Sequence, residues 1–403
     1  MINRRDFIKR TSIATGFTLS GLGSMAIAQE NGTLKWSVHV DLTGPASYGG
    51  IPQGDGFEQY VQWKNANGGI RGRMIDLTVT DTTFSVDVAA GNFRRAMAEG
   101  DVDYVFGDST GMMQAISPEN NATHRVLTGA GSFASELADP ERYPYYFVAG
   151  ATYGDQLKLL VNYIAQTTDP ANARLAIMHS TISLGRDGIA EATAEAERLG
   201  IELVLLQQSN FVEADVSTFA LAIREARPTH VLFHGYSFAV WPETIRLVRD
   251  FGMDDVVFMS SMWQHEYDKI VELGDVAEGL VGIKVFENDT NSGSGAMIDV
   301  IRDIHLQRNP DFNGYVRLGF VDSWFNAMMV TKAVEDVLDA GQEINGDTLS
   351  AALAAVRDWD TGGVIGIPVS FEGHKTGAGQ IIRWDNDGGT WSPTPVSEWF
   401  KLD

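Results

Sequence analysis

Short apolar runs separated by longer amphipathic stretches dominate the hydrophobic pattern of the chain. Such runs, bounded by Gly, Pro, Asn or Asp, are typical of buried parallel strands, and the amphipathic stretches are typical of helices that cover a sheet. This βαβα series predicts a parallel sheet with helices on both faces. Up to residue 150, the pattern predicts strands at residues 34–40, 74–80, 102–106, 126–128 and 145–148, with helices at residues 52–66 and 86–99 and a helix that opens at Met112.

A second βα series begins at residue 153 and predicts a second parallel sheet. One helix, at residues 184–199, is expected to run unbroken to Gly200, which suits a C-terminal cap. The predicted strands are residues 173–178, 201–206, 229–233, 256–259 and 281–285. Beyond residue 294 the pattern predicts helices at residues 297–307, 316–340 and 348–356, then a closing hairpin of residues 369–371 and 379–384, and a tail that contains Pro393 and Pro395.

Two successive strand-to-loop junctions, between residues 102 and 135, carry the candidate ligand chemistry. Asp108, Ser109 and Thr110 follow the first strand, and Gly131 and Ser132 follow the second. Loops at the carboxyl ends of parallel strands line the ligand crevice of open α/β sheets, and the N–H groups at a helix start attract anions. These loops predict one wall of a small-molecule site, although two ordinary βα turns would have the same pattern.

The N-terminus predicts a targeting signal and not part of the fold. Arg4 and Arg5 match the twin-arginine export pattern, and Ala26-Ile27-Ala28 ends a mildly apolar segment with a cleavage site. We therefore expect a signal peptide at residues 1–28, export to a bacterial periplasm, and no membrane insertion of the mature chain.

Composition narrows the function classes. The chain has no Cys, which excludes disulfides, thiolate zinc sites and iron–sulfur clusters, and we expect no cofactor. A net charge of −23 argues against nucleic acid as a partner. A length of 403 residues is long for a single core and favours two domains.

Four segments, in their order and spacing, resemble the leucine/isoleucine/valine-binding family of periplasmic solute receptors, the type I binding proteins that serve ABC importers. They are the opening loop at residues 42–49, the turn Asn67-Gly68-Gly69-Ile70-Arg71-Gly72, the segment at residues 277–280, and the turn from Phe371 to Lys375. The resemblance covers nearly all of the mature sequence.

The resemblance implies an α/β fold of two Rossmann-like lobes, joined by three hinge crossovers and closing around a ligand. Lobe 1 would comprise residues 29–149 and 283–364, and lobe 2 residues 150–282 and 365–403. It also implies that the protein is not an enzyme and that its partners are a small-molecule ligand and the membrane permease of an ABC transporter.

The ligand contacts implied by the resemblance match only in part. Phe133 stands where amino-acid binders usually have a Thr, Leu184 where they have a tyrosine, and Met262 where they have the acid that pairs with the ammonium. Asp108 or Glu266 could replace that acid; otherwise the pocket favours an apolar or aromatic carboxylate, an amide, or a cation held by aromatic rings. The candidate ligand-binding residues are Tyr48, Asp108, Ser109, Thr110, Gly131, Ser132, Phe133, Tyr153, Tyr236, Met262 and Trp263.

Other functions fit less well. The run from Gly129 to Ala134 fits a dinucleotide fingerprint, but the residues after it cannot form the long helix that holds a pyrophosphate. Asp360-Thr361-Gly362 copies an aspartic-protease triplet without a suitably placed second carboxylate. An importer component is preferred; a sensory module for a membrane receptor and, less well supported, a secreted enzyme stay open.

Overall fold

The structure is a computed structural model that describes residues 32–213, 215–236 and 240–401. The predicted signal peptide at residues 1–28 lies outside the described residues. Within those ranges the chain forms two sheets flanked by helices, which is the mixed α/β architecture that the sequence predicts.

The first sheet has four parallel strands in the order β2-β1-β3-β4. All residues of β3 and β4 are buried, as expected for short apolar strands covered on both faces. The strands are β1 (Thr33–Val40), β2 (Met74–Asp81), β3 (Tyr104–Gly107) and β4 (Leu127–Ala130). The strand predicted at residues 145–148 is reduced to two isolated bridges, Thr128 with Tyr146 and Val148 with Lys375.

The second sheet continues in the order β11-β10-β9-β8-β7-β5-β6, with β12 beside β10. Its strands are parallel from β6 to β9, whereas β10 is antiparallel to both of its neighbours in that order. The strands are β5 (Arg174–Ser180), β6 (Glu202–Ser209), β7 (His230–His234), β8 (Val257–Ser260), β9 (Val281–Lys284), β10 (Ala378–Asp387), β11 (Thr390–Pro395) and β12 (Phe400–Lys401).

Twelve helices cover the sheets in the described part of the chain. Three of the helices that pack around the first sheet start where a polar side chain accepts a backbone N–H, as Ser85 and Ser109 do for α2 and α3. The twelve helices are α1 (Ser47–Ala66), α2 (Val86–Glu99), α3 (Thr110–Glu119), α4 (Tyr153–Thr167), α5 (Ser183–Arg186), α6 (Ile189–Leu199), α7 (Ser217–Ala226), α8 (Val240–Asp250), α9 (Tyr267–Leu273), α10 (Ala296–Arg308), α11 (Leu318–Asp339) and α12 (Gly346–Ala355). None of the helices in these described ranges has the length and hydropathy needed to cross a bilayer.

Helix α11 returns the chain from the second sheet to the first, because it packs on α1 and β4 although it follows β9. The contact with α1 is close enough to require Gly56, where a Cβ atom would overlap the Ser323 hydroxyl and the Phe320 carbonyl. Tyr60 donates a hydrogen bond of 2.8 Å to Thr331 across the same contact. The two helices therefore form one rigid support for the end of the first sheet.

Two predicted elements near the second sheet were wrong. The predicted tail is strand β11, which pairs with β10 through the turn at residues 388–389; Pro393 and Pro395 fit there because β11 is an edge strand. Val369, predicted to pair within a hairpin, is bridged instead to Trp359.

The predicted helix at residues 184–199 is broken into α5 and α6. Gly188 adopts a left-handed φ of +77° between them, at a point where a Cβ atom would lie 2.9 Å from the backbone N of Gly154. Asp187 accepts hydrogen bonds from Ser135 at this break. The lobe boundaries predicted from the resemblance stay a prediction.

Candidate functional site

A cavity with a solvent-accessible volume of about 80 Å³ lies between the carboxyl ends of the strands of both sheets. Loops after β1, β2, β3 and β4 line one side, and loops after β5, β6, β7 and β8 line the other. This is the position at which parallel α/β sheets bind ligands. The lining residues are Asp41, Ala46, Gly49, Gly50, Gln53, Phe84, Asp108 and Gly131 from the first side, and Ile182, Leu184, Phe211, Gly235, Tyr236, Trp263 and Glu266 from the second.

Two carboxylates on the first side have different surroundings. Asp41 is fully buried and accepts hydrogen bonds from the backbone N–H groups of Gly44 and Ala46, at 2.5 and 2.7 Å. Asp108 accepts a hydrogen bond from the hydroxyl of Thr82. Burial raises the pKa of Asp108 to about 6, against the opposing effect of that hydrogen bond. Asp41 therefore shapes the loop after β1, whereas Asp108 remains a titratable group in the cavity.

Glu266 is the acid on the second side. Glu266 immediately precedes α9 and is 3% exposed. One of its carboxylate oxygens accepts a hydrogen bond of 3.0 Å from the backbone N–H of Leu318. Burial raises its pKa to about 8, although the charge of Arg317 acts in the opposite direction. The cavity therefore disfavours the charged form of this carboxyl.

Aromatic rings form much of the remaining lining. The indole N–H of Trp263 donates a hydrogen bond of 2.9 Å to the hydroxyl of Tyr153, and Phe133 packs against both rings. Tyr236 is held by a hydrogen bond of 2.9 Å from Ser209. These contacts fix the orientation of the rings on the second side before any ligand binds.

Phe84 and Phe211 stack on each other from opposite sides of the cavity, with ring centroids 5.2 Å apart and planes inclined by 23°. Phe84 follows β2 and Phe211 follows β6, so the contact joins loops of the two sheets. Both rings are partly exposed. The pair therefore bridges the two sides of the cavity at a solvent-accessible part of its lining.

The structure separates the predicted site residues into those that line the cavity and those that support it. Asp108, Gly131, Tyr236 and Trp263 are in the lining. The hydroxyls of Thr110 and Ser132 bond to each other at 2.7 Å and are buried, and Ser109 caps α3 by accepting the Met112 N–H. The buried residues behind the lining are Phe133, Tyr153 and Met262, and the backbone N–H of Met262 is bonded to Gln156.

Tyr48 lies at the rim of the cavity, beside the lining residue Gly49. Its hydroxyl donates a hydrogen bond to Asp268, and the guanidinium of Arg317 lies over its ring at 3.9 Å from the centroid. Arg317 also pairs with Asp268 at 2.9 Å. Tyr48 therefore contacts a residue of the opposite side in this structure.

Several lining residues were not predicted as site residues from the sequence. Gln53 reaches the cavity from the first turns of α1 and donates a hydrogen bond of 3.3 Å to Asp322, whose pKa burial raises well above its usual value. Phe84, Ile182 and Phe211 come from loops with no recognisable motif. Their one common signal is position, since each follows the carboxyl end of a strand.

The described residues include no group of three or more His, Cys, Asp or Glu placed to hold a metal ion. His230 and His234 lie along strand β7.

The profile of a family described as "Periplasmic binding protein" matches residues 34–390. The chain belongs to the periplasmic binding protein family. The Leu/Ile/Val-binding protein of Escherichia coli strain K12 is 24% identical over 298 residues, which cover 73% of this chain and 78% of that relative. The resemblance drawn from the sequence motifs is thereby confirmed.

Solved structures of this family share the fold. A structure described as a branched chain amino acid ABC transporter from Thermus thermophilus with bound valine aligns with a TM-score of 0.81 and 21% identity, covering 92% of this chain and 96% of that one. A solute binding protein from Rhodopseudomonas palustris BisB5, in complex with 3,4-dihydroxy benzoic acid, aligns with a TM-score of 0.77 and 17% identity, covering 92% and 97%. The predicted type I periplasmic binding protein fold is confirmed.

Proposed function

We propose that this periplasmic binding protein is the solute receptor of an ABC importer and binds a small solute in the cavity between its two sheets. The observation that carries the proposal is the lining, to which loops after four strands of each sheet contribute. A ligand held from both sides favours the closed arrangement over the open one, because it gains contacts only when the sides meet.

The proposed ligand is an amino acid or a related small carboxylate, amide or aromatic solute. The Leu/Ile/Val-binding relative and the structures with bound valine and 3,4-dihydroxy benzoic acid support this range. The proposed partner is the membrane permease, the proposed location is the periplasm after twin-arginine export, and the chain is proposed to have no catalytic activity. The candidate ligand contacts are those predicted from the sequence, together with Gln53 and Glu266.

A thermal-shift screen followed by calorimetry tests the proposal. A solute that binds the folded protein raises its melting temperature by mass action, in proportion to the logarithm of its concentration above the dissociation constant. We expect at least one class among amino acids, aromatic acids, amides and amines to do so. Small-angle scattering should then show a more compact protein with ligand than without it. If no class raises the melting temperature, the receptor function is rejected.

A further inference from the structure

The charged side chains of the cavity lining are all acidic. Three carboxylates line the cavity, and the described lining residues include no Lys or Arg. Asp41 accepts hydrogen bonds from two backbone N–H groups, so its carboxylate stabilises the loop after β1. Asp108 and Glu266 are therefore the two acids available to a ligand, one on each side of the cavity.

Glu266 has an unused acceptor. One of its oxygens accepts the N–H of Leu318, and among the residues that the structure describes no group donates to the other oxygen. The side chain is nonetheless nine-tenths or more buried and belongs to the cavity lining. A buried carboxylate needs a positive partner or several donors to remain charged, and the described residues of the lining supply no such partner.

Arg317 does not supply the missing charge. It acts on Glu266 electrostatically, but its guanidinium is paired with Asp268 at 2.9 Å and rests on the ring of Tyr48. It is not among the residues of the cavity lining. The charge of Arg317 is therefore largely compensated by Asp268 at the rim, and the cavity itself stays acidic.

Aromatic surface accompanies the acids. Phe84, Phe211, Tyr236 and Trp263 all line the cavity. Aromatic faces attract cations through the ring quadrupole, more strongly where water is excluded, and they also bind apolar groups. Acids and rings together suit a ligand with a positive group and an apolar part.

The hydroxyls predicted to hold a carboxylate are not part of the cavity lining. The hydroxyls of Thr110 and Ser132 bond to each other in the interior, and Met262 fills the position of the acid expected from the sequence motifs. A carboxylate in the cavity would lie beside Asp108 and Glu266 with no cationic side chain among the described lining residues to pair with it, and an unpaired buried charge is costly.

From this lining we infer that the solute is a small organic cation without a carboxylate, with its positive group between Asp108 and Glu266 and its apolar part against the aromatic rings. The inference rests on the proposed function, because it takes the cavity to be the solute site. It narrows the ligand class from amino acids, acids and amides to amines and ammonium compounds.

Calorimetry with charge-matched pairs of compounds tests the inference on the unmodified protein. Phenethylamine is compared with phenylacetate, and choline with its neutral tert-butyl isostere. We expect at least one cation to bind about tenfold or more tightly than its matched partner, since a charge-assisted contact in a desolvated site accounts for such a ratio. Tighter binding of the anion or the neutral partner in both pairs overturns the inference, as does a failure of both cations to bind.

Substitutions identify the acids that are responsible. Glu266→Gln and Asp108→Asn keep the shape of the side chains and remove the charge, so each should weaken binding of the cation about tenfold while leaving the neutral isostere unchanged. Glu141→Gln removes an exposed acid outside the lining and serves as the matched control, with unchanged affinity. Equal affinities of all three variants and the unmodified protein for the cation would contradict the placement of its charge.

These results distinguish failure of the inference from failure of the receptor function. If leucine or an aromatic acid binds and no cation does, the receptor function stands and the inference on charge is lost. If nothing in the wider screen of solutes binds, both are lost.

Discussion

The hydroxyl of Tyr48 donates a hydrogen bond of 2.5 Å to the carboxylate of Asp268, across the gap between the two sides of the cavity. Tyr48 belongs to α1, which follows the first strand of the first sheet, and Asp268 belongs to α9, which follows β8 of the second. Arg317, beside α11, binds the same carboxylate. The three side chains form a rim contact that exists only when the two sides are close.

The first prediction concerns this rim contact. Asp268→Asn removes the charge that Arg317 pairs with, and it should lower ligand affinity roughly three- to tenfold because the closed arrangement loses a contact that the open one lacks. Stability should change by less than about 1 kcal/mol, since both side chains of the ion pair are more than one-third exposed. Calorimetry gives the affinity, and urea unfolding gives the free energy.

Asp339→Asn is the matched control for Asp268→Asn. Asp339 pairs with Arg71 at 2.6 Å, with similar exposure, but α11 and the turn after α1 both pack on the side of the first sheet. It should leave affinity unchanged. Equal affinities of both variants and the unmodified protein would show that the rim contact does not stabilise the closed arrangement.

The second prediction concerns the stacked pair of Phe84 and Phe211. Phe84 adopts a φ of +55°, which is uncommon for a residue other than glycine, and this conformation brings its ring onto Phe211. Phe211→Ala should uncover one opening of the cavity and speed ligand release more than it slows association. Stopped-flow measurements check the two rates.

Val212→Ala provides the control, because Val212 is the next residue along the chain and its side chain is exposed and outside the lining. Release rates should match those of the unmodified protein in this variant. If Phe211→Ala also leaves the release rate unchanged, the stacked pair does not gate the cavity.

The strands and helices were predictable where local pattern and environment agree. The short apolar runs of β3 and β4 are buried, and the helix at residues 86–99 lies at its expected position. The errors arose where tertiary contacts decide the local structure. Gly188 interrupts a strongly helical pattern because the backbone of Gly154 lies close to it. Pro393 predicts a tail, but it lies in a strand because an edge strand tolerates proline.

The site was predictable only in part. Whether a loop residue lines the cavity depends on the strand that it follows and also on its contacts with residues from elsewhere in the fold. Asp108 and Tyr236 could be placed from motifs, and both line the cavity. Phe211 and Gln53 could not be placed from motifs. Phe211 is positioned by a partner ring from the other sheet, and Gln53 by its hydrogen bond to the buried Asp322.

The third prediction concerns Phe133, which the sequence placed in the site and the structure places behind it. Its ring is fully buried against Tyr153, Trp263 and Phe286. Phe133→Ala should cost about 3–5 kcal/mol of unfolding free energy through the cavity that it leaves, whereas Phe133→Leu should cost clearly less. Urea unfolding measures both. A loss below about 1 kcal/mol for the Ala variant would mean that the ring is not packed as the structure shows.

The last prediction concerns the stability of the empty protein as a function of pH. Burial raises the pKa of Glu266 to about 8, from a usual value of 4.5. The unfolded chain therefore releases this proton near pH 4.5 and the folded protein only near pH 8, so the contribution of Glu266 is fully present below pH 4.5 and is lost as pH rises to about 8. The charged groups that act on it are Arg317, which lowers its pKa, and Asp268, which raises it.

The Glu266→Gln variant isolates that contribution, because glutamine has nearly the shape of the protonated acid and does not titrate. Its stability should equal that of the unmodified protein near pH 4 and exceed it near pH 8, by an amount on the order of a few kcal/mol. Glu272→Gln serves as the control, because Glu272 lies in α9, which Glu266 precedes, but is exposed and paired with Lys269; this variant should follow the unmodified protein across the pH range. Urea unfolding across this pH range gives the comparison. Parallel curves for Glu266→Gln and the unmodified protein would show that Glu266 is already ionised in the empty cavity, and hence that a positive group of the protein faces it there.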